Sequence, residues 1–297
     1  MRKKVIALAM IAAMVVSLTA CGGKNNDKQG KDSTESLKVA YQSGIAYAPI
    51  LVMKDQKLIE KNYDGNVDID WQLLSGGAAI SEGLTSNTVD VGAIGTGVAI
   101  TGAKAGAPYK IFAGMSSQPY RISTNKEEIK TLKDITKEDQ IAITGINSQP
   151  HIVLAMAAKA YLGDAHALDA NLVAQPNADG YTSLVSGAVQ CHMIMSPYCF
   201  MEQNKEGIHQ IEVDESVWPV GDTTIVGVAT EKLKEERPKL YEAVCKAMDE
   251  AIEFINDNPE KTADILKDYY DASQEEIVSW LTDDASVFST KLRYEVI

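Results

Sequence analysis

From residue 37 onward, short apolar runs alternate with longer stretches of helical periodicity. LKVAY, VDIDWQL, VDVGAI and YKIFAG read as strands separated by helical segments, the order expected of βαβ units and a largely parallel sheet. The first helix is predicted from Pro49 through ILVMKDQKLIEKN, with proline in the first turn, where its missing N–H leaves nothing unpaired. QIAITGI, ANLVAQ and VQCHMIM repeat the arrangement further on. After TTIVGVAT the pattern turns wholly helical, and PKLYEAVCKAMDEAIEFIND sets Leu240, Val244, Met248, Ala251, Ile252 and Ile255 on one stripe. Pro259 opens a further helix, with Asn258 as its expected N-cap.

Two segments match at a spacing of one hundred. LTSNTVDVGAIGT begins at Leu84 and LVSGAVQCHMIMS at Leu184, so that Leu84, Ser86, Val89 and Ile94 recur as Leu184, Ser186, Val189 and Ile194. KVAYQSG from Lys38 and QIAITGI from Gln140 form a second pair of short strands ending in a polar, glycine-bearing turn. The repeat predicts an α/β protein with two lobes of similar construction.

The chain begins differently. Arg2, Lys3 and Lys4 precede VIALAMIAAMVVS, an uncharged run too short to span a bilayer comfortably, which is the pattern of a secretory signal peptide over residues 1–20. Leu18-Thr19-Ala20-Cys21-Gly22 resembles the bacterial lipobox, implying a lipidated Cys21 as the new N-terminus. Residues 22–36 have no aliphatic or aromatic side chain, so 21–36 is expected to be a flexible tether that keeps a folded body near a membrane, outside the cytoplasm. The remaining stretch of about 260 residues is long for one core and comfortable for two lobes. Formal net charge is −13 before the three leader cations are removed, which makes nucleic acid and anionic headgroups poor partners.

Candidate chemistry is sparse. Gly95, Gly97 and Gly102 match neither the dinucleotide fingerprint nor the P-loop. Cys191, Cys199 and Cys245 are no disulfide framework; Cys191 and Cys199 either pair or stay buried thiols. His151, His166, His192 and His209 show no metal spacing, so neither a metal nor a cofactor is expected. The loops at the predicted carboxyl ends of the strands are QSGIAYAP, SGGAA, GTG, SSQP, GINSQPH, PNADGY and SPY, rich in neutral donors and acceptors. From them Ser116, Asp179, Ser196 and Tyr198 join the candidate ligand-binding residues. This set favours binding over catalysis.

In order and spacing, LKVAYQSGIAYAPILVMKDQKLIEKN, LTSNTVDVGAIGTGVAITGAKAGAPYKIFAG, IKTLKDITKEDQIAITGINSQPHIVLAMAAKAYLGD and the VGVATEKLKEERPKLYEAVCKAMDEAIEFINDNPEKTADILK segment resemble the solute-binding proteins of nitrate/sulfonate/taurine ABC transporters. The resemblance covers about residues 37–285. It implies a periplasmic-binding-protein-like fold of type II, with lobe 1 from 37–119 and 222–297, lobe 2 from 120–221, and two hinge crossings. It places the first ligand loop on Gln42, Ser43, Gly44 and Tyr47 and the second on Ser75, Gly76 and Gly77. Gly95 and Thr96 follow, and lobe 2 supplies Asn147, Ser148, Gln149 and His151. Where the family usually has G-x-V-D-A, this chain reads Gly187-Ala188-Val189-Gln190-Cys191, so the acid and its local capping contact are expected to be missing.

The resemblance implies a monomeric receptor that passes a small solute to an ABC permease and its ATPase. A compact oxyanion such as a sulfonate or nitrate suits the uncharged donor-rich loops; a thiamine-precursor pyrimidine or other aromatic nutrient would stack on Tyr47, Tyr181 or Tyr198; Asp179 would suit a zwitterion such as taurine. Arg121, just past the first crossing, is the nearby cation to test against an acid. A surface sensor of the same fold and an enzyme using His151 or His192 with a cysteine are the competing classes. For the latter, adjacency puts Cys191 and His192 on opposite faces of a strand.

Overall fold

The computed structural model describes residues 34–213, 217–219 and 221–293. The predicted leader, Cys21 and the tether up to residue 33 lie outside them. The tether's last residues are already strand: β1 spans Glu35–Tyr41, and the Glu35 N–H donates to the Asn66 carbonyl at 2.9 Å.

The chain continues with α1 (Ala48–Asp55), α2 (Leu58–Asn62), β2 (Val67–Leu73), α3 (Gly77–Thr85), β3 (Val91–Gly95), α4 (Thr96–Lys104) and β4 (Tyr109–Ser117). It crosses to β5 (Tyr120–Thr124), β6 (Ile141–Ile143), α5 (Gln149–Leu162), β7 (Leu172–Ala174), α6 (Asn177–Ser186), β8 (Cys191–Met195), α7 (Tyr198–Gln203) and β9 (His209–Ile211). It returns with β10 (Ile225–Thr230), α8 (Glu231–Glu236), α9 (Pro238–Asp257), α10 (Pro259–Leu266), α11 (Gln274–Leu281) and β11 (Val287–Phe288).

Two mixed sheets result, ordered β11-β4-β10-β3-β1-β2 and β7-β6-β8-β5-β9. The expected parallel core is present: β1 pairs in parallel with β2 and β3, and β6 with β7 and β8. Each sheet also holds an antiparallel strand contributed across the crossing, β10 beside β3 and β5 beside β8, which periodicity alone does not reveal. α1 and α9–α11 cover one face of the first sheet and α3 and α4 the other; α5 covers one face of the second. The predicted stripe of α9 is buried as a whole, each large apolar side chain contributing about 2 kcal/mol of transfer free energy.

The spacing of one hundred reappears as a duplicated set of hydrogen bonds. Val89 N–H donates to the Gly83 carbonyl at 3.1 Å and Val189 N–H to the Ser183 carbonyl at 3.2 Å. Asp90 N–H meets the Lys38 carbonyl, and Gln190 N–H the Gln140 carbonyl. In return, Lys38 N–H donates to Asp90 Oδ2 and Gln140 N–H to Gln190 Oε1, each at 2.9 Å. The missing acid therefore costs no cap: a carboxamide oxygen accepts the same amide. What the carboxylate adds in the first half is the ion pair to Arg237, at 2.5 Å from Asp90 Oδ1.

Two local expectations change and one open alternative is resolved. The first helix breaks at Gln56–Lys57, where Lys57 is left-handed at φ 52°. Asn258 holds the N-cap position of α10 as expected but makes no side-chain capping bond to it; its side-chain N–H donates backward to the Phe254 carbonyl at 3.3 Å and closes α9. Cys191, Cys199 and Cys245 are all free thiols.

Asp90→Ala removes both an amide acceptor and an ion-pair partner, whereas Gln190→Ala removes a neutral acceptor only. Urea unfolding of the two variants is expected to show losses of about 2 and about 1 kcal/mol respectively.

Candidate functional site

The carboxyl ends of the parallel strands in the two sheets face one seam, and matching elements of the two halves deliver their loops to it. After β1 the chain turns at Gly44, whose φ of 140° favours glycine, and the Gly44 carbonyl accepts the Tyr47 N–H ahead of α1. After β6 the Gly145 carbonyl accepts the Ser148 N–H ahead of α5 in the same way. Both helices carry proline in the first turn, Pro49 and Pro150.

Across the seam, Gln149 reaches from the start of α5 to the start of α4. Its Oε1 accepts the Gly97 N–H at 2.7 Å, and the side chain is 4 % exposed. A Cβ on Gly95 would stand 2.5 Å from the Gln149 Cβ, and one on Gly97 would stand 2.9 Å from Gln149 Oε1. Those two glycines therefore leave the notch that the carboxamide fills. Asn177, the first residue of α6, adds a second crossing contact, from its Nδ2 to the Ser43 carbonyl at 3.3 Å. Tyr198 lies beside Ser43, and its ring is 6.0 Å from that of Tyr181.

A small void of about 20 Å³ remains between these groups, space for about one water. Its walls include Gln42, Tyr47, Gly77, Gly95, Gln149 and Asn177. None of the described residues lining it carries a formal charge. Burial pushes the Tyr47 hydroxyl up from its ordinary pKa, partly offset by its hydrogen bond with Gln42, and burial raises Tyr198 as well. The described residues lining the void are neutral at physiological pH. The polarity of the seam comes from the starts of α3, α4, α5 and α6, where backbone N–H groups carry the positive end of the helix dipole. The buried polar atoms without a partner among the lining residues include Gln149 Nε2, a donor, Asn177 Oδ1, an acceptor, and the Tyr120 hydroxyl, which can do either.

The structure sorts the residues expected from sequence. Gln42, Ser43, Gly44, Tyr47, Gly77 and Gly95 come together with Gln149, Ser196 and Tyr198; the Ser196 carbonyl lies 3.6 Å from where a Gly44 Cβ would be. Ser148 caps α5 and supports Gln149. Thr96 and Ser116 turn the other way: their hydroxyls donate to the Thr223 and Ala46 carbonyls inside the first lobe, at 2.7 and 3.0 Å. Asn147 is exposed, and its N–H donates to His151 Nδ1, whose other ring nitrogen faces Asp169 at 3.5 Å. Ser75 and Asp179 are exposed, and a Cβ on Gly76 would meet nothing. Thr96, Ser116, Asn147 and His151 thus hold structure instead of lining the void.

Asn177, Tyr120, Thr144 and Met195 line it without having been singled out. The hundred-residue spacing carried a signal for two of them, since Gly77 and Gly95 map onto Asn177 and Met195. Arg121 lies elsewhere, in a separate cavity on the α5 side of the second sheet. His192 and Cys191 do occupy opposite faces of β8. His192 Nδ1 pairs with Glu202 at 2.5 Å under α6, and Cys191 packs in the core beneath α5. Among the described residues no group of acids, histidines and cysteines has the arrangement of a metal site, and no helix is long and apolar enough to cross a membrane.

Similar folds are known. The alkanesulfonate-binding protein SsuA of Xanthomonas axonopodis pv. citri, bound to MOPS, superposes with TM-score 0.69 at 16% identity, covering 86% of this chain and 85% of its own. The nitrate-binding protein NrtA of Synechocystis PCC 6803 gives 0.66 at 17% identity, covering 83% and 69%. A Candida albicans gene product described as exhibiting the generic periplasmic binding protein fold gives 0.68 at 17% identity, covering 86% and 83%. No curated protein matches the chain in sequence. The NMT1-like family matches residues 30–267, most of the chain. With two α/β lobes joined by a double crossing and a family match of that length, the chain belongs to the NMT1-like family and has the periplasmic-binding-protein fold.

Proposed function

We propose that this protein is a lipid-anchored, monomeric receptor that captures a small solute at the seam and delivers it to the permease and ATPase of an ABC importer. Lobe 1 comprises residues 37–119 and 222–297 and lobe 2 residues 120–221, a division supported by the membership of the two sheets. The observation that carries the reading is the Gln149 carboxamide, which presents an acceptor oxygen from one lobe to the α4 N-terminus of the other. Four helix starts around a neutral void suit a small acceptor-rich solute such as a sulfonate, nitrate or taurine, held without lysine or arginine. Binding that engages both lobes stabilises the closed arrangement by its differential contacts, and the permease reads that closure.

A second reading, an aromatic nutrient such as a thiamine-precursor pyrimidine, is favoured by Tyr47 and Tyr120 in the lining, Tyr198 at the rim and the unpartnered acceptor Asn177 Oδ1. An oxyanion gains nothing from that acceptor, whereas a heteroaromatic N–H does. Catalysis is disfavoured by the state of the thiols. Burial pushes Cys191 up to about 11 and raises Cys199 as well, so neither provides a thiolate nucleophile at neutral pH.

Thermal-shift titration with nitrate, alkanesulfonates, taurine and pyrimidines is expected to find one class that raises the unfolding midpoint with the logarithm of its concentration. Gly95→Ala, whose methyl collides with Gln149, should weaken that ligand by about tenfold or more, a change of about 1.4 kcal/mol. Thr96→Ala should instead lower stability by about 1 kcal/mol and leave affinity nearly unchanged. Undiminished affinity in Gly95→Ala would move the site away from the seam. Cys191 and Cys199 should react with a neutral-pH disulfide reagent only in denaturant; fast labelling of the native protein would reopen the enzyme reading. Cys21→Ser should shift the protein from the membrane fraction to the soluble fraction, as measured by fractionation and immunoblot.

A further inference from the structure

A cavity of about 290 Å³ lies on the α5 side of the second sheet, beside both crossings. That volume is at the lower end of the range that takes small-molecule ligands, ~300–1,000 Å³. The crossings contribute Gln118 and Pro119 on one side and Val217, Trp218 and Pro219 on the other. They are stitched together by Gln118 N–H to Thr224 Oγ1 at 3.0 Å and Gly221 N–H to Ser117 Oγ at 3.1 Å. The floor is apolar, with Ile122, Ala157 and Met193 among its residues.

The polar atoms around this cavity are one-sided. Gln118 is 2 % exposed; its Oε1 accepts from the Ser196 and Ser286 hydroxyls, which leaves Nε2 buried with no partner. The Trp218 indole N–H and the Tyr120 hydroxyl are likewise buried and unpartnered, and the two rings meet edge to face at 6.3 Å. Arg121 uses one guanidinium N–H on the Tyr120 carbonyl, at 3.0 Å. The carboxamide, indole and guanidinium N–H groups can only donate, the Tyr120 hydroxyl can donate as well as accept, and a buried donor without an acceptor is costly to maintain. The acid in the lining, Glu212, is exposed, so water and salt screen its charge.

We propose that this cavity is a second small-molecule site, adjoining the seam at Tyr120, for a compact aromatic or branched apolar body carrying a carboxylate. The apolar floor takes the body, the faces of Tyr120 and Trp218 flank it, and the unpaired N–H groups with Arg121 take the acid. Nothing in this assignment depends on which solute the seam holds.

Benzoate and 3-phenylpropionate are the probes, titrated into the full-length protein by calorimetry. At least one should bind saturably at millimolar concentration or below. Ala157→Trp, which fills the floor, should abolish that binding, and Trp218→Phe, which keeps a ring but removes the N–H, should weaken it about fivefold. Gly95→Ala, which perturbs the seam, should leave it unchanged. If neither probe saturates, the proposal fails. It fails equally if Gly95→Ala abolishes binding, since the probe then occupies the seam, or if Trp218→Phe leaves affinity untouched. The last comparison decides the matter should Ala157→Trp not fold.

Discussion

A side chain from one lobe rests in a notch that only glycine leaves open in the other. Gln149 can reach the Gly97 N–H because neither Gly95 nor Gly97 carries a Cβ. Everything else at the seam follows from that approach. The Ser148 cap orients the first turn of α5, and Thr96, bonded to the Thr223 carbonyl, fixes the first turn of α4 against β10. Their shared work is positional, and it explains why two residues with ligand-like chemistry in sequence end up behind the surface they serve.

The alternation of strand and helix, the two-lobed construction and the α9 stripe were all legible in sequence, since burial on one face leaves a period in the hydrophobicity. The antiparallel strands β10 and β5 were not legible. Each is donated to its sheet across a crossing, so partner and direction are set by chain topology and not by local pattern. The break at Lys57 escaped as well, because a left-handed lysine has no compositional mark of the kind glycine supplies. At the site, glycines and small polar loops located the seam. They did not say which way each hydroxyl points; Ser116 and Thr96 show that a serine or threonine at a strand end satisfies nearby backbone as readily as a ligand.

Charge is managed by keeping it away from the seam. The protein is strongly acidic overall, yet the described residues lining the void carry no formal charge, and burial raises the hydroxyls of Tyr47 and Tyr198 further above their ordinary pKa. A fully buried acid–histidine pair, Glu202 with His192, is packed beneath α6, where Gly180 makes room for the imidazole: a Cβ there would stand 2.5 Å from His192 Nε2. That pair links α7 to β8 from below. It explains why a histidine and a cysteine adjacent in sequence serve two different sides of the sheet.

The duplicated halves have diverged where they face each other. Gly77 and Gly95 expose bare main chain, while their counterparts Asn177 and Met195 project a carboxamide and a thioether. The crevice is therefore lopsided. One wall offers main-chain amides and the other offers side-chain groups, so no pair of contacts repeats symmetrically across the crevice.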